Sequence, residues 1–272
     1  MWLLAPFRLP ISVAQRFQRG GFAQTAAALS FATLLAIVPM IAVAATLISF
    51  FPFGSGLEEA LRKFLLSNLL PQKAGEVIAK YVGLFAHRAD RITLAGVVLL
   101  GLTALIQMFT IERAFNDIWR VKTYRPFARR AAVHGIALGL GPAIFGGSLM
   151  ATTFLATASL GWLDEPAWVA VMVNKSLSFV LVTILFALAY WGIPNKKVAV
   201  HHALMGGVLA AGGFSALQYL FASYVTKFTS YTVLFGTFSA IPVFLTWVYA
   251  SWGVILVGAI FVAELPASKR GR

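Results

Sequence analysis

The sequence predicts an all-α, polytopic membrane protein with six transmembrane helices and an amphipathic helical hairpin between the first and second of them. Two observations carry this prediction. Of the 272 residues, 60 % are hydrophobic and only 11 % are charged, whereas soluble domains carry roughly 25 % charged residues. In addition, the 38 consecutive residues from Gly20 to Leu57 carry no charge. Because a bilayer core takes about 20 apolar residues as helix and offers no water to open backbone groups, such runs are expected to span it as helices.

Six spans follow from the apolar runs and from the glycines and prolines that punctuate them. Their predicted bounds, in chain order, are Thr25 to Phe51, Ile92 to Ile111, Ala132 to Ala158, Ser176 to Ile193, Val198 to Ala222 and Phe238 to Ala263. The hydrophobic blocks lie too close together to leave room for a separate soluble domain. We therefore expect residues 1–272 to form a single integral membrane domain.

The hairpin is predicted over residues 57–86, where apolar residues such as Leu61 and Phe64 recur at helical spacing opposite Glu58 and Arg62. Pro71, a residue suited to the first turn of a helix, divides this segment into two short amphipathic helices. Two roles are open for them. They form either a cap packed on the outer end of the bundle or a surface that lies in the outer leaflet and binds a lipid or partner.

The distribution of lysine and arginine predicts the orientation in the membrane. With both termini cytoplasmic, 14 basic residues lie inside and 7 lie outside, as the positive-inside rule prefers. Residues 1–24 and 264–272 are then cytoplasmic and residues 57–86 are extracytoplasmic. The net charge of +13 is thus mainly a signal of topology, and no nucleic acid is expected as a partner. The N-terminal segment does not match a cleavable signal, so the first span is expected to direct insertion.

The densest group of polar residues follows the second span and provides the main candidate site. At helical pitch Glu112 lies above Asn116, and Arg113 lies above Asp117. One interpretation is a solvated helix end with weak ion pairs. The other is a binding site for an anionic head group at membrane depth, where a charge requires a partner. The candidate substrate-binding residues are Glu112, Arg113, Asn116, Arg120, Arg129, Arg130 and Glu264, with Arg125 as a further arginine of the same loop.

Glu264 closes the last span, on the side where Glu112 and Arg113 are predicted to lie. It is either a helix-end carboxylate in water or the partner of an arginine in the second loop. We expect one charged cluster that joins Glu112, Arg113 and Glu264 to the arginines of that loop, because an unpaired charge at this depth is expensive.

A second set of candidates concerns hinges and packing. Proline inside a span removes a backbone hydrogen bond and can kink the helix. Glycine pairs such as Gly206 and Gly207 favour close helix contact, with a flexible path through the bundle as the alternative. The candidate hinge or packing residues are Ser30, Pro39, Pro142, Pro242 and Trp247.

No cofactor, metal or enzymatic activity is expected. The chain has no cysteine, and its four histidines lack the spacing of zinc ligands. The sequence also lacks a phosphate loop, a nucleophile elbow and a paired-carboxylate motif. A membrane-bound nuclease or hydrolase is therefore the function class that the residues support least.

Three segments resemble the YihY/BrkB family of bacterial inner-membrane proteins. They are AAALSFATLLAIVPM in the first span, ERAFNDIWRV with RPFARR after the second, and GTFSAIPVFLTWVYASWGVILVGAIFVAEL at the end. The resemblance implies six helices, an inner-membrane location and an unsettled activity, with labels of virulence and an older ribonuclease label that is widely regarded as misassigned. The positions that match the family's pattern are Ser30, Pro39, Glu112, Asn116, Arg129, Pro242, Trp247 and Glu264.

The leading hypothesis is a transporter or flippase-like protein for an amphipathic anionic substrate, a lipid, which works without nucleotide hydrolysis of its own. Cytoplasmic arginines would collect the head group, since the planar guanidinium donates two hydrogen bonds at once. The alternative is a non-catalytic scaffold in envelope assembly. The expected partners are membrane lipids, together with a second copy of the chain or an envelope-assembly protein.

Overall fold

A computed structural model describes residues 8–49, 94–123, 125–132, 134, 167–227 and 240–270. Every regular element in these ranges is a helix, and no strand occurs among them. The long helices are α1 (Arg8–Arg19), α2 (Phe22–Ser49), α3 (Leu94–Ile118), α4 (Ala167–Gly192), α5 (Val200–Lys227) and α6 (Ala240–Arg270). The all-α class predicted from the sequence is thus confirmed for the described part of the chain.

Five of the predicted spans fall on described helices. Within the described residues, three stretches are long and apolar enough to cross a membrane: Lys175–Gly192, Val200–Tyr224 and Pro242–Leu265. The second span was predicted to end at Ile111, with the polar cluster following at helical pitch, and α3 runs on to Ile118 and includes that cluster. Most of the third span and the whole hairpin of residues 57–86 lie outside the described residues, and the number of six spans stays a prediction.

Two compact units divide the chain. The first contains Met1–Leu34, Phe109–Arg125 and Val182–Arg272, and the second contains Leu35–Met108 and Pro126–Leu181. Within the first unit, α6 packs against both α5 and α1. The predicted site residues from Glu112 to Arg125, and Glu264, all belong to this unit.

Helix α1 was predicted only as part of a cytoplasmic segment, and its amphipathic pattern explains why it docks. Val13 is buried on one side of the helix, while Arg19 at its end is exposed. The chain turns at Gly20 and Gly21, where Gly21 adopts a φ of +64° that favours glycine. A side chain on Gly20 would come within 2.8 Å of the carbonyl oxygen of Arg16, so both glycines are needed to reverse the chain into α2.

The faces of α5 are arranged as in a membrane helix. Its buried face carries small residues at helical spacing, and its exposed face carries large apolar ones such as Leu204 and Met205. A side chain on Gly207 would come within 2.5 Å of the backbone oxygen of Thr183 in α4, and one on Gly206 would collide with Val262 in α6. Small residues that let helices approach, with large apolar residues facing outward, are typical of helix packing in lipid.

Aromatic side chains fill the space between the α4, α5 and α6 segments of the first unit. Trp247 is only 2 % exposed, and its ring contacts Phe214 and Phe221 of α5. Tyr190 of α4 is fully buried, and its hydroxyl donates a hydrogen bond of 3.0 Å to the backbone oxygen of Ile255. A buried hydroxyl without a partner is costly, so this bond fixes the register of α4 against α6.

Candidate functional site

The end of α3 separates the predicted polar cluster into a buried face and an exposed face. Glu112 and Asn116 are both 0 % exposed, whereas Arg113 and Asp117 are exposed. The two pairs therefore share faces as the helical pitch predicts. A fully buried carboxylate is expensive unless positive or hydrogen-bonding groups surround it, so the burial of Glu112 requires a specific environment.

Arg125 of the second loop contributes to that environment. Its Nη1 lies 3.8 Å from Oε1 of Glu112, and its side chain is 19 % exposed. The same guanidinium donates hydrogen bonds of 3.4 Å to the carbonyl oxygens at the end of α4, those of Gly192, Ile193 and Pro194. The last carbonyls of a helix have no partner within it, so Arg125 satisfies the end of α4 while it balances the charge of Glu112.

Asn116 and Asn195 complete this connection, which we call the loop clamp (Glu112, Asn116, Arg125 and Asn195). The backbone N–H of Asn195 donates a hydrogen bond of 2.7 Å to Oδ1 of Asn116, and Nδ2 of Asn195 donates one of 2.9 Å to the carbonyl oxygen of Thr123. The second loop and the loop between α4 and α5 are thus joined by both polar side chains and backbone groups.

The backbone after α3 forms a Schellman motif. The N–H of Val121 donates to the carbonyl oxygen of Asn116 over 2.9 Å, and the N–H of Arg120 donates to that of Asp117 over 3.1 Å. Arg120 occupies the left-handed position of this motif, with a φ of 53°. Glycine is favoured there, because a Cβ in this conformation costs roughly 1 to 2 kcal/mol.

Glu264 has a different partner from the one expected. The Glu264 carboxylate accepts a hydrogen bond from Nη1 of Arg16 in α1, and Nη2 of Arg16 donates to the carbonyl oxygen of Ile118 at the end of α3. Arg16 and Glu264 are 16 % and 21 % exposed. The expected single cluster is therefore divided in two: Glu112 lies with Arg125 in the loop clamp, Glu264 lies with Arg16, and Arg113 makes no ion pair among the described residues.

A pocket of about 650 Å³ opens where α1, α2, the end of α3 and α6 meet within the first unit. It is lined by Ser12, Gln15, Arg16, Arg19, Gly20, Phe22, Thr25, Asp117, Arg120 and Glu264. Three of these residues are arginines and two are acids. Arg120 and Glu264 therefore line one pocket together with Arg16 and Arg19 of α1. We call it the arginine pocket.

The other candidate residues lie elsewhere. Arg129 is exposed and Arg130 is buried, and both belong to the second unit. Ser30 is buried and its hydroxyl donates to the carbonyl oxygen of Ala27, Trp247 lies in the aromatic core, and Pro39 lies within α2. Pro242 lies in the first described turn of α6, where its carbonyl oxygen accepts a hydrogen bond from Thr246. Pro142 lies outside the described residues.

No group of three or more histidine, cysteine, aspartate or glutamate side chains that could hold a metal ion occurs in the described ranges.

Sequence reasoning missed Arg16, Arg19 and Asn195. The amphipathic pattern of α1, with Val13 on one face and basic residues beside it, was the available signal for the two arginines. Asn195 gave no signal, because its role depends on where the loop after α4 lies in space.

These observations define a polytopic α-helical membrane protein with a charged pocket at one end of its helices. The chain belongs to the Virulence factor BrkB family, whose model matches residues 13–272. The family resemblance noted from the three sequence segments is thus confirmed.

Several relatives are named UPF0761 membrane proteins. The one from Aromatoleum aromaticum is 44 % identical over 267 residues, which cover 95 % of this chain and 66 % of that protein. The one from Azoarcus sp. is 42 % identical and covers 93 % of this chain and 62 % of that protein. One from Pseudomonas aeruginosa is 37 % identical, and the match covers 96 % of this chain and 63 % of that protein. The chain thus spans less than two thirds of the length of these relatives. No solved structure matches it.

Proposed function

We propose that this chain is an inner-membrane transporter, flippase-like in its action, for an amphipathic anionic substrate, a membrane lipid. The observation that carries the proposal is the arginine pocket, which places Arg16, Arg19 and Arg120 around one space beside the amphipathic helix α1. Arginine binds phosphate through two parallel hydrogen bonds, so a pocket lined by several arginines suits the head group of a phospholipid.

The position of the pocket supports a cytoplasmic entry site. Its lining comes from the N-terminal segment, the second loop and the end of the last span, all of which the charge distribution assigns to the cytoplasmic side. The loop clamp attaches the fourth loop, which has the same assignment, to the second. Helix α1 presents Ile11 as an exposed apolar residue next to this end, as expected of a helix that lies at a membrane surface.

The close helix contacts restrict the route of the lipid. Gly206, Gly207 and Gly258 bring α4, α5 and α6 together so tightly that an added Cβ would meet neighbouring atoms. These glycines pack the first unit and argue against a path between those three helices. In our proposal the acyl chains therefore stay in the bilayer while the polar head group occupies the pocket.

The same tight packing favours the alternative, a non-catalytic scaffold in envelope assembly. A scaffold needs a rigid helical body and no substrate. It does not by itself require three arginines around one pocket, and for this reason we place transport first.

Reconstitution into liposomes tests the proposal. Fluorescent phosphatidylglycerol is incorporated with the purified chain, and the fraction reaching the opposite leaflet is followed by quenching with a membrane-impermeant reductant. We expect faster exchange than in protein-free vesicles, a loss of that exchange in the double variant Arg19→Gln with Arg120→Gln, and normal exchange in Lys122→Gln, which removes an exposed charge outside the pocket. Folded protein that moves lipid no faster than empty vesicles would favour the scaffold.

A further inference from the structure

We infer that Arg120 and Arg19 bind the phosphodiester of an anionic phospholipid, and that Arg120 is the residue that determines affinity for it. This inference rests on the proposed function, because it names the lipid group that the arginine pocket contacts.

The backbone conformation at Arg120 supports a role for its side chain in binding a ligand. Among the described residues it is the one non-glycine position with a positive φ, and it stands where a Schellman motif favours glycine. Its side chain is exposed, lines the pocket and makes no ion pair with any described residue. A strained residue whose side chain has no ion-pair partner among the described residues is expected where that side chain has an external ligand.

The hydrogen-bond donors of the pocket are the second argument. Arg16 is occupied by Glu264 and by the carbonyl oxygen of Ile118. The hydroxyls of Ser12 and Thr25 donate to carbonyl oxygens of their own helices or turns. Arg19, exposed at the end of α1, has no such partner among the described residues and joins Arg120 as the second guanidinium that can face a ligand.

The charge balance is the third argument, and it limits the class of ligand. Arg16 and Glu264 neutralise each other, which leaves the two positive charges of Arg19 and Arg120 against the negative charge of Asp117. A net charge of one fits the single negative charge of a phosphodiester. The doubly charged phosphate of a monoester or of inorganic phosphate would leave one negative charge unbalanced beside Asp117. Asp117 thus weakens the binding of any anion and disfavours the more highly charged ones.

The test is a binding titration of the full chain in detergent with short-chain phosphatidylglycerol, followed by tryptophan fluorescence. Arg120→Lys keeps the charge but loses the planar guanidinium and its paired donors, so we expect binding about fivefold weaker, as for the loss of one ordinary hydrogen bond. Lys122→Gln, which removes a nearby exposed charge outside the pocket, is the control and should bind the lipid as the unaltered chain does. Asp117→Asn should bind about threefold more tightly, because it removes an exposed repulsive charge.

Arg120→Gly separates binding from stability. It removes the strain at the left-handed position, so we expect the melting temperature to rise by roughly 2 to 4 °C. The same variant should bind phosphatidylglycerol at least about tenfold more weakly, since it loses both the positive charge and the paired N–H donors of the guanidinium group. A variant that is more stable and yet binds less cannot be explained by damage to the fold.

Three results would overturn the inference. If Arg120→Gly binds as well as the unaltered chain, the side chain is not a ligand. If inorganic phosphate competes at the concentrations at which the lipid binds, the pocket takes free phosphate instead. If Asp117→Asn binds phosphatidylglycerol more weakly, the carboxylate does not oppose the anion, and the charge argument for a phosphodiester fails. Normal binding with no lipid exchange in liposomes would refute the proposed transport alone, and exchange that does not depend on Arg120 would refute this inference alone.

Discussion

The sharpest stability test concerns the loop clamp, through the variant Arg125→Gln. This change removes the positive charge 3.8 Å from the fully buried carboxylate of Glu112 and three hydrogen bonds to the end of α4. Breaking a buried ion pair typically costs about 3 to 5 kcal/mol, because a charge remains in the interior. The long separation and the 19 % exposure of Arg125 place this pair at the lower end, so we expect a loss of roughly 2 to 4 kcal/mol.

The measurement is the melting temperature of the purified chain in mild detergent. At roughly 2 to 4 °C per kcal/mol, Arg125→Gln should lower it by roughly 4 to 16 °C. The control is Arg113→Gln, which changes an exposed arginine next to Glu112 and should alter the free energy of unfolding by no more than about 0.5 kcal/mol. The double variant Glu112→Gln with Arg125→Gln should be less destabilised than the sum of its single variants, because the two side chains interact.

If Arg125→Gln and Arg113→Gln melt at the same temperature, the loop clamp contributes nothing to stability, and the burial of Glu112 needs another explanation. Strict additivity in the double variant would likewise show that Glu112 and Arg125 do not interact.

Three further predictions follow from the packing, the second ion pair and the topology. Gly207→Ala should lower the free energy of unfolding by about 1 to 3 kcal/mol through overpacking. Its control, Gly212→Ala, has no atom within 4 Å of the added Cβ and should be neutral or stabilising by up to about 1 kcal/mol. Equal melting temperatures of the two variants would refute the tight contact at Gly207. Glu264→Gln should cost only about 1 to 2 kcal/mol, less than Arg125→Gln, because its ion pair keeps contact with solvent. Cysteine placed at Ser67 should react with an impermeant thiol reagent in intact cells and cysteine at Ser268 should not; the opposite pattern would reverse the predicted orientation.

Local periodicity was enough to predict how the end of α3 presents its side chains. Glu112 with Asn116 and Arg113 with Asp117 lie on separate faces because the helical pitch fixes their directions, whatever surrounds the helix. The sequence did not locate the end of that helix. A glycine normally marks the left-handed position after a helix, and Arg120 stands there instead.

The partners of the charged residues could not be predicted from the sequence. Glu264 and Arg16 are 248 positions apart, and their contact depends on α1 docking against α6. Arginines of the second loop were equally suitable by charge and by predicted side of the membrane. The distribution of lysine and arginine predicts the side of the membrane on which a charged residue lies, whereas its ion-pair partner depends on tertiary packing.

An electron cryo-microscopy map of the chain in nanodiscs of phosphatidylglycerol is the most direct test of whether the arginine pocket holds the head group of an anionic phospholipid. We expect phosphate density within hydrogen-bonding distance, about 3 Å, of the guanidinium groups of Arg120 and Arg19, and the loss of that density in Arg120→Gly. A well-resolved pocket without head-group density, or lipid phosphate bound at Arg113 instead, would contradict it.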